Sequence, residues 1–278
     1  MAGKSSKSDN RGADLFGFLA SGKNRDNHTS KEAASKPDDQ GIVASGGIIN
    51  DYTEGGKIYR AHIFTSSSTF VVSSTAVGLS NDVDYLVVGG GGGAGAYHGT
   101  NATGGAGAGG LRTSMPTCPY KQAGYTVGTG NYTVICGGGG SYARENPNAP
   151  QPSQITTSGS NSELYPTPGG SGSGIVASGG GAGQAREWSP GASQKGGSGG
   201  GGDTYSPNSY TGNTLASPDG RSPTVQGFAG GSASTPNNGG GGGGGAGELG
   251  NAGQGVNADG STQGRGGDGL QIFIAEPS

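Results

Sequence analysis

The stretch that decides the fold is Asp82–Gly99, DVDYLVVGGGGGAGAYHG. An apolar, strand-like run, Tyr85-Leu86-Val87-Val88, passes straight into glycine. Gly90, Gly92 and Gly95 satisfy G-x-G-x-x-G, the spacing of a dinucleotide-binding turn. That chemistry needs a helix opened by the glycines, whose free amides hold a pyrophosphate, and an acidic residue about 20 positions further on. Both are missing. Each glycine weakens a helix interior by roughly 1 kcal/mol relative to alanine, and no Asp or Glu occurs between Asp84 and Glu145. The dinucleotide reading fails, and glycine must serve another purpose.

Composition narrows the alternatives. Leu, Ile, Val and Phe together number 37 of 278 residues, a fraction at which disorder is the ordinary expectation. The net charge is only -3, so repulsion does not hold the chain open. No basic excess invites nucleic acid, no apolar run reaches the roughly 20 residues of a membrane span, and neither partner is expected. The opening MAGKSSKSDN lacks the apolar core of a secretory signal, so synthesis in the cytoplasm is expected. Cys118 and Cys136 are the only cysteines. Two thiols build no disulfide framework, and either a free pair or a single bridge fits them.

Three regions follow along the chain. Residues 1–40 carry seven Lys/Arg and six Asp/Glu among small polar residues. Their one apolar cluster, Leu15, Phe16, Phe18 and Leu19, is too small for a core. It reads either as an incidental patch on a disordered tail or as a docking arm that orders on a partner. Residues 41–88 read as antiparallel β structure, with KIYRAHIFT, STFVVSS and VDYLVV rich in β-branched and aromatic residues and separated by turn signals. Strands near 125–136 and 270–275 are expected to join this unit. Residues 89–269 hold 56 of the 66 glycines.

Glycine at that density, without a strict Gly-x-y period, excludes collagen. A flexible linker of this length between paired strands is uncommon. Polyproline-II helices make no internal hydrogen bonds and rise about 3.1 Å per residue, so their buried amides must bond sideways. Only glycine lets such helices come close enough. The fold expected is therefore mainly β with irregular structure and almost no α-helix: a small antiparallel unit followed by a polyglycine-II bundle. The heptapeptide GIVASGG occurs twice, at Gly41–Gly47 and Gly174–Gly180, which suggests two similar passages from strand into glycine.

The segments YRAHIFTSSSTFVVSS, VDYLVVGGGGGAG, GAGGLRTSM and YTVGTGNYTVICGGGG together resemble the glycine-rich domain of tailed-phage tail and fibre proteins. His62, Phe64, Thr65, Ser66, Ser67 and Phe70 match that family's first strand pair. Tyr85–Gly93 match its strand-to-glycine passage, with Asp84 at the usual acidic position. Gly107–Arg112 and Val127–Cys136 match the later blocks, and the resemblance covers about residues 55–278. It implies a virion structural protein without cofactor or enzymatic activity, oligomeric in the particle and docked on other virion proteins through residues 1–40. Similar polyglycine-II architecture in fibre-tip adhesins implies loops that bind a host surface receptor. The chain departs from those adhesins in having its own arm and a β unit before the glycine.

Tyr142, Tyr165, Trp188, Tyr205 and Tyr210 all lie in non-glycine inserts. Tyr and Trp with Ser, Asn and Gly is the composition of rigid recognition loops, so these five are receptor-contact candidates; contact with neighbouring subunits is the other reading. Leu15, Phe16, Phe18 and Leu19 are the virion-docking candidates. No catalytic residue is expected, since His28, His62 and His98 are far apart with no metal spacing. One GRGGDGL segment (264–270) overlaps a calcium-binding repeat, but such sites need tandem copies. A receptor-binding fibre component and a capsid or tail decoration remain the two function classes.

Overall fold

A computed structural model of the chain describes residues 41–54, 56–95, 102–142, 156–166, 174–184, 195–203, 225–234, 239–253 and 264–274, together with the backbone of 14–16. The strands in chain order are β1 (Asp14–Phe16), β2 (Val43–Ser45), β3 (Ile48–Glu54), β4 (Lys57–Ile63), β5 (Ser68–Ser74) and β6 (Asp82–Val83). They continue with β7 (Leu86–Val88), β8 (Leu111–Thr113), β9 (Tyr125–Thr126), β10 (Gly130–Ile135), β11 (Ser162–Pro166) and β12 (Ile175–Ala177). No helix occurs among the described residues. The fold is mainly β, as the strand signals predict.

The central sheet has five strands in the order β12-β11-β10-β5-β2, each pair antiparallel. One of its faces is the core. Alternate residues point there: Phe70 and Val72 from β5, Tyr132 and Val134 from β10, Leu164 from β11. The two GIVASGG copies form its two edges. In each copy the isoleucine and alanine are buried, Ile42 with Ala44 and Ile175 with Ala177. Beyond the shared serine the paths part. Gly46 and Gly47 take φ of 112° and 66° and turn the chain into β3, whereas Gly179 and Gly180 stay on an ordinary backbone and enter the glycine region. One heptapeptide thus closes both edges, and its last two glycines are used for opposite purposes.

A second sheet, β1-β4-β3, lies beside the first. His62 on β4 is fully buried, donates from Nδ1 to the carbonyl oxygen of Gly46 at 2.7 Å and meets the Phe70 ring edge-on at 5.2 Å. It ties the two sheets together. Residues 14–16 of the arm pair in parallel with β4, Asp14 opposite Arg60 and Phe16 opposite His62. This part of the expected docking arm is a strand of the fold.

The glycine region is a lattice of extended runs bonded through their backbones. Gly89, Gly92 and Gly95 donate to the carbonyls of Gly110, Gly107 and Gly104, while Gly90 and Gly93 donate to Ser160 and Thr157. Donors toward any one neighbour recur every third residue. A β ladder repeats every second residue; a period of three is that of the polyproline-II helix, as the clustered glycine runs predict. Run 104–110 is bonded to four others, 89–95, 178–184, 196–202 and 239–245, at N···O distances of 2.7–3.2 Å. Amides at the starts of runs are capped by short polar side chains: Ser162 Oγ accepts from Gly137 N at 2.9 Å, and Asn161 Oδ1 from Gly179 N at 3.1 Å.

Strand and run are continuous backbone. β7 leads into run 89–95, β10 into 137–141 and β12 into 178–184, while runs 104–110 and 156–160 lead back into β8 and β11. One expectation needs correction. Residues 270–274 are not a strand. Ile272 and Ile274 do alternate toward the core, and Tyr52 Oη donates to the Ile274 carbonyl oxygen at 3.1 Å. Their backbone joins no ladder: the isoleucines pack against the core, and a side chain rather than a neighbouring strand meets the Ile274 carbonyl.

Candidate functional site

The direction of each run fixes where the inserts arise. Runs 89–95, 137–141 and 178–184 leave the sheet; 104–110 and 156–160 return to it. Run 196–202 is parallel to 178–184, through Gly181 N to Ser198 O and Gln184 N to Gly201 O. Run 226–232 is parallel to 196–202, run 239–245 is antiparallel to it, and run 248–253 points outward again. Gly95, Tyr142, Gln184, Asp203, Ser234 and Gly253 therefore all lie at the end of the lattice away from the sheet. They are joined there: Gln184 O accepts from Gly104 N at 2.8 Å, Gln184 Oε1 from Asp203 N at 3.4 Å, and Gly253 N donates to Ser232 O at 2.7 Å.

The insert segments depart from this far end. Tyr142 is placed on it and is 60% exposed. The segments carrying Trp188, Tyr205 and Tyr210 begin just after Gln184 and Asp203, and these three residues lie outside the described ones. Tyr165 is elsewhere: it is half-buried on β11, opposite Thr133, at the sheet end. Of the arm candidates, Leu15 and Phe16 are in β1, and Phe18 and Leu19 lie outside the described residues.

The glycine fingerprint is answered by geometry. The amides of Gly90, Gly92 and Gly95, which a nucleotide site would aim at phosphate, are bonded to Ser160, Gly107 and Gly104 carbonyls at 3.0–3.2 Å. They have no donor left for a ligand. The GRGGDGL segment is answered as well, since Arg265 bonds Glu248 at 2.6 Å and Asp268 at 2.5 Å. A guanidinium occupies the carboxylates that a cation would need. Among the described residues no group of three or more His, Cys, Asp or Glu could hold a metal ion. Cys118 and Cys136 are free thiols, each pushed up by burial, which disfavours a nucleophilic thiolate.

A polar seam joins sheet and lattice that the sequence did not single out. Arg112 is 1% exposed, and its Nε and Nη2 donate to Gln122 Oε1 at 2.9 and 2.7 Å, where Tyr85 Oη also donates at 2.7 Å. Gln226, fully buried, accepts from Ser178 N at 2.8 Å. Asp84, raised by burial against the opposing Ser114 hydroxyl, borders it. Arg112, Tyr85 and Gln122 satisfy one another, and the Gln226 carbonyl oxygen is taken up by the backbone. The only sequence sign of this seam is an arginine two residues after a glycine block.

No curated protein and no solved structure matches the chain. A family described as a glycine-rich domain matches residues 65–276, from the first turn after β4 to the segment that returns to the core. That span takes in the five-stranded sheet from β5 onward and the whole lattice, and the chain belongs to the glycine-rich domain family.

Proposed function

We propose that the chain is a bacteriophage virion structural protein, a tail-fibre or receptor-binding component whose lattice displays recognition loops at its far end. The observation that carries this reading is topological. The lattice gathers the origins of the inserts bearing Tyr142, Trp188, Tyr205 and Tyr210 at the end opposite the sheet. A backbone-bonded body is stiff, and stiffness lowers the entropic cost of presenting contact residues. The described part of the arm, β1, is at the sheet end, the side suited to attachment to other virion proteins. Tyr165 favours the second reading, a capsid or tail decoration without receptor binding, because it lies at the sheet end, away from the end where the other inserts begin. The test is host adsorption. Truncating a central aromatic anchor commonly removes over 2 kcal/mol, so Trp188→Ala is expected to weaken adsorption by roughly tenfold or more while particles assemble normally. Unchanged adsorption for Trp188→Ala, Tyr142→Ala and Tyr205→Ala alike transfers the assignment to decoration.

A further inference from the structure

We propose that residues 14–16 are an exchangeable strand, seated on the β4 edge of a second copy of this chain and so linking copies. The seat is defined by the register Asp14–Arg60, Leu15–Ala61 and Phe16–His62. A three-residue strand makes the same ladder bonds whichever chain supplies it, so exchange leaves those contacts unchanged and is decided by connectivity and concentration.

Connectivity permits it. Phe16 pairs with His62, and His62 bonds Gly46, five positions after Gly41. A handful of residues would close that gap. The chain supplies 24, numbers 17 to 40, which can span at most about 80 Å. A compact domain of this length has a radius of gyration of about 19 Å, so 24 residues are long enough to reach a neighbour's β4.

The surroundings of the seat favour a protein neighbour. Ile48, Ile49 and Ile63, paired at the end of β3 and β4 next to Phe16, are 62%, 49% and 42% exposed. Ile48 and Ile63, a cross-strand pair exposed on one face at the end of a strand-addition site, with Ile49 on the other face, form an apolar patch of the kind that marks a protein contact. A second copy delivering its arm to β4 brings its own body over this patch. The inference concerns self-association and does not depend on the virion reading.

The experiment uses two differently tagged full-length chains, one Asp14→Cys and the other Arg60→Cys, mixed under mild oxidation with wild type as the control for Cys118 and Cys136. Exchange gives a disulfide-linked species carrying both tags. Sedimentation of the wild type should show a concentration-dependent dimer that Leu15→Pro removes, since proline takes away a ladder amide. A chain monomeric at every concentration overturns the proposal. So does a bridge that forms only within a single chain carrying both Asp14→Cys and Arg60→Cys.

Discussion

The sheet and the lattice are built from the same continuous backbone and held by opposite means. In the sheet, side chains do the joining: Phe70, Val72, Tyr132, Val134, Leu164 and Ile175 bury one face, and any of them can shrink while the ladder survives. In the lattice the backbones themselves touch. A Cβ added to Gly92, Gly107, Gly201 or Gly243 would lie closer than 3.0 Å to a backbone atom of a neighbouring run, a separation that no rotamer change relieves. Only Gly264 among the described lattice glycines has a positive φ, at 55°. Glycine is selected there for its absence of volume, and hardly at all for its conformational freedom.

The largest expected effect tests that difference. Gly243→Ala places a methyl against the Ala106 carbonyl of run 104–110, which is bonded to four other runs. Backbone must move, and lattice bonds on both sides must break. The variant is expected to lose more than 4–5 kcal/mol, the range reserved for disruptive substitutions, and to show no cooperative melt by circular dichroism. A normal melt would mean that the runs do not pack as closely as their hydrogen bonds require.

Phe70→Ala comes next. It empties a fully buried site between His62 and Tyr132, and a phenylalanine removed from a core costs about 3–5 kcal/mol. Because β10 and β12 run directly into the lattice, the whole chain should still unfold in one transition at lower denaturant. Two separated transitions in urea would show that the regions are independent and would break the comparison in the other direction.

Much of this was legible in the sequence, for reasons tied to particular residues. Period-two alternation in STFVVSS and NYTVIC exposes β5 and β10 because each side chain there answers to one face. The glycine runs announce the lattice because few other structures need that many residues without volume. The neighbours of each run were not legible. Glycine carries no side-chain pattern, so nothing in GGGGG says whether it bonds to 104–110 or to 156–160; the strands at either end set that. Asp14–Phe16 has no alternation to betray a strand, so the sequence sets the arm apart from the fold. Leu270–Ala275, LQIFIA, alternates as a strand does, and burial without a ladder gives the same pattern. Tyr165 was placed in a loop with its polar neighbours, while SELYP pairs with β10. For the far-end inserts, composition gave the candidates and topology added where they begin.

A smaller effect should appear at high pH. Burial, with Cys118 adding to it, pushes the Tyr120 phenol up to about 12 from an ordinary value of 10.0. Its hydroxyl donates to the Ala246 carbonyl, at the turn between runs 239–245 and 248–253, and its ring meets Phe228 at 6.3 Å. Tyr52 is raised in the same direction, chiefly by burial. A raised phenol holds its proton more tightly in the folded state, so its contribution is complete below about pH 10 and is lost as pH climbs toward about 12. Urea midpoints should be flat from neutral pH to about 9 and fall above 10. Tyr120→Phe should be less stable at neutral pH and show a shallower alkaline decline. An unchanged decline would place the sensitivity in Tyr52 and the sheet, away from the lattice.

The smallest effect has the opposite sign and probes the lattice at its surface. Gly138 lies in run 137–141, is exposed, and a Cβ there would meet nothing within 4 Å. Its carbonyl accepts from Ser160 N at 2.9 Å, a bond that alanine keeps. Its φ lies outside the left-handed range, so alanine fits the backbone without strain. The substitution then acts through the unfolded chain, which loses freedom, and Gly138→Ala is expected to stabilise by about 0.4–1 kcal/mol. Gly130 separates space from conformation. It too has nothing within 4 Å, but its φ is 145°, so Gly130→Ala should destabilise despite the open space. If Gly138→Ala destabilises as Gly130→Ala does, the outer runs are constrained by more than the close approach of backbones. If it stabilises while Gly243→Ala abolishes folding, the same methyl group has opposite effects within one lattice, and the sole difference is whether a neighbouring backbone occupies the space.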